Sequence, residues 1–289
     1  MTLGRFELMC VSAVLRHTRV QKGRWRLHLR AMSLVHRHMP LDRKLVVRTK
    51  AGFRMRLDGS SQVGKVVYAT GDYEPDIAAV FRSRLAPGAT VLDVGAHIGY
   101  FTVLAAQAVG PRGTVISVEP QRRVRDELNR NIALNGLTNV EVHGVAAYDA
   151  AGERQLYLEK PDSTGQASLR AGDHGPTETI QAQTVDQLVR GRDISLVKID
   201  AEGAERNILA GMRETLTRCR PELVIEVTDG FLRAFGHSAD ELHAYLGGFG
   251  YSAFEITDHG LEPIAPGHSW TEQQNVLFTC RPAEAMPRR

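Results

Sequence analysis

The chain has 289 residues, of which 43% are hydrophobic and 24% charged, with a formal net charge of +3. These values are ordinary for a soluble globular protein, and no apolar run is long enough to span a bilayer. The small net charge argues against a nucleic-acid partner. The three cysteines (Cys10, Cys219 and Cys280) are too scattered for a disulfide framework or a structural zinc site, so we expect a reducing, cytoplasmic location.

Basic charge is concentrated at the front of the chain. Residues 1–40 hold eight of the 36 Lys and Arg but one of the 33 Asp and Glu. We interpret them as a basic, partly helical extension, with a peripheral membrane contact or a docking arm as alternative uses. Leu8 to Leu15 is apolar, but Glu7 and the lack of a small-residue cleavage pattern argue against a secretion signal.

We predict one domain over residues 41–281. Its first part, 41–88, contains two strand-like runs, 44–49 and 52–57, whose alternation and short connection predict a β-hairpin. Pro75 then opens a predicted helix over 76–85. We expect residues 282–289 to be a disordered tail.

The run from Val91 to Thr102 predicts a buried strand, a glycine turn and the start of a helix. Its pattern D-x-G-A-x-x-G puts Asp93 inside the turn, and a carboxylate there suits a cationic ligand better than a pyrophosphate. A second strand, 114–118, ends at Glu119, where a carboxylate can accept both hydroxyls of a ribose. The pair resembles the first two motifs of class I S-adenosylmethionine-dependent methyltransferases.

Alternating strands and helices indicate the fold class. Helical spacing after Phe101, a helix over 122–134 and a strand over 140–145 give a β-α-β-α-β order. We predict a doubly wound α/β fold: a mostly parallel, Rossmann-like, seven-stranded sheet with helices on both faces and an antiparallel strand at one edge. The insertion 149–182 breaks this order: we predict a short strand over 155–158 and a loop over 162–176, and the insertion is either a substrate loop or a disordered surface excursion.

The second informative stretch is a strand over 194–200 that ends in Asp200, and we expect this strand to lie beside the one that begins at Val91. A helix to about residue 217 follows, and we expect Glu202 and Glu205 in its first turn, where the macrodipole favours carboxylates. The next strand, 221–227, contains Glu226, whose burial would demand a partner. Oxygen ligands from Asp200, Glu202 and Glu226 would suit a divalent metal, although the spacing does not require one.

Four motifs in order resemble the FkbM family of methyltransferases over about residues 70 to 230. They are Gly71-Asp72-Tyr73-Glu74-Pro75, Val91 to Thr102, Glu119-Pro120 and Lys198-Ile199-Asp200-Ala201-Glu202-Gly203-Ala204-Glu205. The resemblance implies methyl transfer from S-adenosyl-L-methionine to a hydroxyl of a sugar, glycan or natural-product small molecule. His97 stands where members mostly have Asn, and its imidazole is larger than the amide and can titrate.

The resemblance and the strand order together assign candidate roles. Asp200 is the first choice for general base or acceptor binding, Glu226 the second, and Glu202 a substrate contact. The cofactor contacts are Asp93, Gly95, Ala96, His97, Gly99, Glu119, Ala146 near the adenine, and Tyr73 and Glu74 as a cover. Structural alternatives stay open: Asp93 and Asp200 as helix caps, Glu119 as a solvated strand end, and Tyr73 and Glu74 as an ordinary loop.

The motifs also bear on three rival functions. A nucleic-acid N-methylase would show an Asp/Asn-Pro-Pro-aromatic motif where this chain has Asp200-Ala201-Glu202-Gly203. A nicotinamide-dependent oxidoreductase is disfavoured by the missing middle glycine and by Asp93. The third rival is a non-catalytic interaction module that retains the fold.

Overall fold

The structure is a computed structural model, and it describes residues 44–58, 61–158, 167–169, 176–265, 267–270 and 273–281. The predicted extension 1–40 and tail 282–289 lie outside these residues. The described chain divides into two compact units. The smaller comprises the described residues up to Pro75 together with 133–136, and the larger comprises the rest. No helix in the described ranges has both the length and the apolarity to cross a membrane.

The smaller unit contains the predicted hairpin. Its strands β1 (Lys44–Arg48) and β2 (Arg54–Asp58) pair antiparallel. A helix that sequence reasoning missed, α1 (Gln62–Thr70), follows; the Ser61 hydroxyl accepts a hydrogen bond from the Gly64 amide at its start. The valines of this helix have modest helix propensity, so its cap was the better signal.

The larger unit is built on one sheet of eight strands in the order β13-β12-β14-β11-β10-β3-β4-β5. These strands are β3 (Thr90–Val94), β4 (Thr114–Val118), β5 (Val140–His143), β10 (Leu196–Ile199), β11 (Glu222–Val227), β12 (Ser252–Thr257), β13 (Gly260–Ile264) and β14 (Gln274–Thr279). The five strands from β11 to β5 run parallel. They are largely apolar because helices cover the faces of such sheets.

Helices connect these strands. They are α2 (Pro75–Arg84), α3 (Tyr100–Val109), α4 (Arg122–Leu134), α5 (Val185–Val189), α6 (Glu205–Ala210), α7 (Arg213–Arg218), α8 (Asp229–Ala234) and α9 (Ala239–Gly247). The predicted helix bounds hold closely for α2, α3 and α4. The main core packs apolar side chains of β3, β4, β10 and β11 against α6, α7 and α9.

The predicted α/β class is confirmed, and two details of the sheet differ. The antiparallel strand β14 lies between β11 and β12 rather than at the edge. The edge position belongs to β13, an eighth strand that pairs antiparallel with β12. The sequence of β13, with exposed Glu262 and Pro263, has little apolar periodicity, which is why it was not predicted.

The insertion 149–182 forms a second sheet. Its four strands are β6 (Ala146–Ala147), β7 (Gly152–Leu158), β8 (Ala167–Ser168) and β9 (Thr177–Gln183), in the order β6-β9-β7-β8. Alternate apolar side chains of β7 and β9 share a small core with Ala146. The strand predicted over 155–158 lies within β7, and the alternative of a disordered excursion is wrong for the described residues. Residues 159–166 and 170–175, which include most of the loop predicted over 162–176, lie outside the described residues, and a role of the insertion in substrate binding stays a prediction.

Candidate active site

The turn after β3 requires left-handed backbone at three positions. The φ angles are 78° at Gly95, 50° at His97 and 91° at Gly99. Asn, Asp and His are the side chains most often found in this conformation apart from glycine. His97 therefore meets the same backbone requirement as the Asn expected there. The amides of Gly95 and Ala96 both donate to the Val118 carbonyl, which joins the turn to the end of β4.

The two glycines of this turn are needed for contacts within the protein. A Cβ at Gly95 would lie 1.8 Å from the carbonyl oxygen of Asp200. A Cβ at Gly99 would lie 2.4 Å from Cδ1 of Leu128 on α4. Gly95 thus lets the backbone after β10 approach the turn after β3. The structure brings the two sequence-predicted loops into direct contact.

Glu119, which follows β4, is hydrogen-bonded to the same turn. Its Oε2 accepts a hydrogen bond from the His97 amide and its Oε1 one from the Gln121 amide, both at 2.9 Å. The side chain is buried, and desolvation raises the pKa of Glu119 to about 7, against the lowering effect of the two amides. It is therefore neither a solvated strand end nor remote from the turn. Its contact with a ribose stays a prediction.

Asp93 is enclosed by protein and is 1% exposed. Its Oδ2 accepts a 2.6 Å hydrogen bond from the Thr102 hydroxyl, which also lies 3.0 Å from the Ser117 hydroxyl. Its Oδ1 has no hydrogen-bond partner in the part of the chain that the structure describes. Burial raises the pKa of Asp93, and the Lys198 charge opposes that rise. Asp93 therefore faces α3 and β10 from within the core.

Asp200 follows the last residue of β10, which pairs parallel with β3 as predicted. Its Oδ2 accepts a 2.9 Å hydrogen bond from Lys198 Nζ. The Asp200 side chain is 24% exposed, whereas that of Lys198 is 5% exposed. Asp200 is thus an accessible carboxylate beside the glycine turn. Lys198 is part of the fourth sequence motif but is assigned no role there, because only the fold shows it to be a buried charge in a central strand.

Glu205 shapes the loop that presents Asp200. Its Oε1 accepts hydrogen bonds from the amides of Ala201 at 3.0 Å and Gly203 at 3.1 Å. Burial raises the pKa of Glu205 to about 7. Since α6 begins at Glu205, Glu202 lies in the loop before it, with a φ of 52°, and its predicted place in the first helical turn is wrong. The loop is folded around the Glu205 side chain.

Comparison with known proteins decides the family. Residues 93–253, more than half of the chain, match the family model described as the methyltransferase FkbM domain. The chain belongs to the FkbM methyltransferase family. The matched range contains the glycine turn, Glu119 and the Asp200 loop.

Two relatives are similar to this FkbM protein over only part of their own length. AMB antimetabolite synthetase AmbE of Pseudomonas aeruginosa is 30% identical over 70% of this chain and 12% of that protein. Methyltransferase 1 of Beauveria bassiana is 24% identical over 48% of this chain and 64% of that protein. The chain therefore spans less than two thirds of either relative. A solved methyltransferase FkbM from Methylobacillus flagellatus is 17% identical, with a TM-score of 0.45, covering 74% of this chain and 52% of that one.

The other predicted site residues, which do not belong to the glycine turn or to the Asp200 loop, are Glu226, Ala146, Tyr73 and Glu74. Glu226 on β11 is half-buried rather than enclosed, and its Oε2 accepts a 2.8 Å hydrogen bond from Gln273 Nε2. Ala146 lies in β6, where it pairs with Ala182 of β9. Tyr73 and Glu74 belong to the smaller unit. Cofactor contacts by Ala146, Tyr73 and Glu74 stay predictions.

The sequence suggested Asp200, Glu202 and Glu226 as metal ligands, but these carboxylates do not form a metal site in the described structure. Among the residues it covers, no three His, Cys, Asp or Glu side chains are grouped to hold a metal. Glu202 instead contacts the second sheet of the FkbM protein: its carbonyl accepts a 3.3 Å hydrogen bond from the Ser168 hydroxyl on β8. Sequence reasoning missed Ser168, since its partner is a backbone atom 34 residues away.

Proposed function

We propose that this chain is an S-adenosyl-L-methionine-dependent O-methyltransferase that acts on a hydroxyl of a sugar, glycan or natural-product small molecule. One observation carries the proposal: the FkbM domain brings the glycine turn after β3 into contact with the loop that bears Asp200, at the Gly95–Asp200 approach. A cofactor held at the turn would thus have an accessible carboxylate close to it.

The donor set at the turn suits an adenosyl ligand. A carboxylate has about four acceptor sites on its two oxygens. Glu119 uses one on each oxygen for the amides of His97 and Gln121, which leaves acceptor capacity for two ribose hydroxyls. The glycine turn, with Ala96 and His97, would hold the methionine end, and Ala146 the adenine. Asp93 supports this turn from the core through Thr102.

The cofactor, when bound, supplies an activated methyl whose bond to sulfur breaks as a bond to the acceptor oxygen forms, leaving a neutral thioether. The protein must align the acceptor and take its proton. Alignment alone can lower a barrier by about 7 to 11 kcal/mol. Asp200 is the proposed base: its carboxylate accepts the hydroxyl proton as the new bond forms. Glu226 is the second choice for this role.

The acceptor and its surroundings are inferred from position. Glu202 and the second sheet meet at the Ser168 hydrogen bond, which supports Glu202 as an acceptor contact. We propose a small-molecule or glycan acceptor rather than a nucleic acid. The cytoplasm is the proposed location, and the thiols of Cys219 and Cys280, neither of which forms a disulfide in the described structure, accord with it. A membrane contact through residues 1–40 remains part of the proposal.

Radiolabelled methyl transfer tests this function. Purified protein is incubated with methyl-labelled S-adenosylmethionine and an extract of the source organism, split into small molecules, glycans and nucleic acids. We expect label in an alkali-stable methyl ether of the small-molecule or glycan fraction, and its loss with Asp200→Asn. Label confined to nucleic acid, or calorimetric binding of NAD(H) without S-adenosylhomocysteine, would contradict the proposal.

A further inference from the structure

A buried ammonium group lies beside the proposed base. Lys198 is in the middle of β10, between β3 and β11, and is 4% exposed. Removing an ammonium from water is costly unless it is paired. Lys198 Nζ lies 2.9 Å from Asp200 Oδ2 and 4.7 Å from the ring centroid of Phe101 on α3. Both contacts favour the charged form of the lysine.

The same lysine faces a second carboxylate. Lys198 and Asp93 are register partners on neighbouring parallel strands, so their side chains leave the same face of the sheet. Asp93 Oδ2 is held by Thr102, whereas its Oδ1 is buried without a hydrogen-bond partner in the described ranges. A carboxylate enclosed in this way needs a nearby positive charge, and Lys198 supplies one.

The three charged groups differ in their access to solvent. Asp93 and Lys198 are enclosed, whereas the Asp200 side chain is 24% exposed. Asp200 is therefore the member of the group that an acceptor can reach. Because the ammonium is fixed by its strand and by the Phe101 ring, it determines where Asp200 Oδ2 is held.

We infer that Lys198 is a positioning residue at the edge of the proposed site. It fixes the orientation of the Asp200 carboxylate, and its positive charge offsets the negative charges of Asp200 and Asp93. This inference rests on the proposed function. It assigns Lys198 no contact with substrate or cofactor. Its expected effect is on the rate of the transfer step rather than on cofactor affinity, since Glu119 and the glycine turn carry the proposed cofactor contacts.

The test replaces Lys198 with methionine, which has a similar length and no charge. Lys198→Met alone leaves Asp93 as a buried unpaired charge and can unfold the protein for that reason. The double variant Lys198→Met with Asp93→Asn removes both charges, and Asp93→Asn alone is its matched control. Thermal unfolding, calorimetric titration with S-adenosylhomocysteine, and kcat and KM for labelled methyl transfer are measured for all three.

We expect the double variant to have a kcat about 100-fold below that of Asp93→Asn, the loss that misplacing a catalytic group by about 1 Å can cause. Its Kd for S-adenosylhomocysteine should lie within about threefold of that control. Equal kcat values in the two variants would overturn the inference. So would failure of the double variant to fold, because Lys198 would then serve stability. An inactive wild-type protein that binds no S-adenosylhomocysteine would refute the proposed function itself, and this inference with it.

Discussion

The contact between Gly95 and Asp200 makes a quantitative prediction for Gly95→Ala. An added methyl would lie 1.8 Å from the Asp200 carbonyl oxygen, whereas real Cβ contacts essentially never fall below 3.0 Å. The two loops would have to separate by the difference. The φ of 78° adds left-handed strain of about 1 to 2 kcal/mol for alanine. Overpacking of this kind costs a further 1 to 3 kcal/mol, roughly.

Gly88→Ala is the matched control. Gly88 has a φ of 82°, and a Cβ there meets nothing within 4 Å in the described structure. It therefore carries the backbone strain without the clash. Urea unfolding should show Gly95→Ala to be less stable than Gly88→Ala by about 1 to 3 kcal/mol.

Methyl transfer gives the second readout of the same pair. Displacing the Asp200 loop by more than 1 Å should lower kcat by about 100-fold in Gly95→Ala, and Gly88→Ala should leave it near the wild-type value. The reasoning is refuted if both variants lose the same stability and keep the same kcat. The two loops would then not be in contact in the working protein.

Three further variants test other contacts of the site. Glu205→Gln keeps an oxygen for the two loop amides and removes a charge. Burial raises the folded-state pKa of Glu205 to about 7, above its ordinary value of 4.5, so its contribution to folding stability is complete below pH 4.5 and is lost as pH rises through 7. The free energy of unfolding, measured from pH 4 to 8, should therefore fall less steeply with pH in this variant, by on the order of 3 kcal/mol across the range. An unchanged slope would contradict the pKa assigned to Glu205. Thr102→Val should lower the free energy of unfolding by about 1.5 to 3 kcal/mol, because Asp93 loses its 2.6 Å donor; the exposed Thr217→Val is the control, and equal losses would refute the buried network. Ser168→Ala should change the free energy of unfolding by less than about 0.5 kcal/mol yet raise the KM for the acceptor severalfold. An unaltered KM would show that Ser168 on β8 does not contribute to acceptor binding.

The sequence predicted the central part of the fold because local rules and tertiary packing agree there. Strand β3, the turn with Gly95 and Gly99, and helix α3 are each signalled by a run of adjacent residues. The alternation of strands and helices indicated a parallel sheet, and the expected position of β10 beside β3 is confirmed. These rules placed Asp200 beside the turn without any side-chain information.

Features that depend on distant partners could not be predicted in this way. Only residues 155–158 of the second sheet are predicted as a strand, because β8 is two residues long and β9 is largely polar. Glu202 was assigned to a helix because nothing local shows that Glu205 folds the preceding loop around its side chain. Lys198 was overlooked for a related reason: its significance comes from Asp93 on another strand and Phe101 on a helix.

The backbone of the glycine turn also explains a departure from the family pattern. His97 differs from the usual Asn in size and in its ability to titrate. The structure shows that the position is left-handed and that its amide donates a hydrogen bond to Glu119. Asn and His both tolerate a left-handed backbone, and this is the requirement that His97 meets.

Calorimetric titration with S-adenosylhomocysteine, on the wild-type protein and on Glu119→Gln, tests the central claim most directly. Glutamine cannot accept amide hydrogens with both ends of its side chain, so it breaks one of the two contacts that Glu119 makes and removes acceptor capacity for the ribose. We expect one site per chain in the wild-type protein and an affinity at least about tenfold lower in the variant, equivalent to about 1.4 kcal/mol. Equal affinities, or no binding by the folded wild-type protein, would contradict an adenosyl site at the ends of β3 and β4.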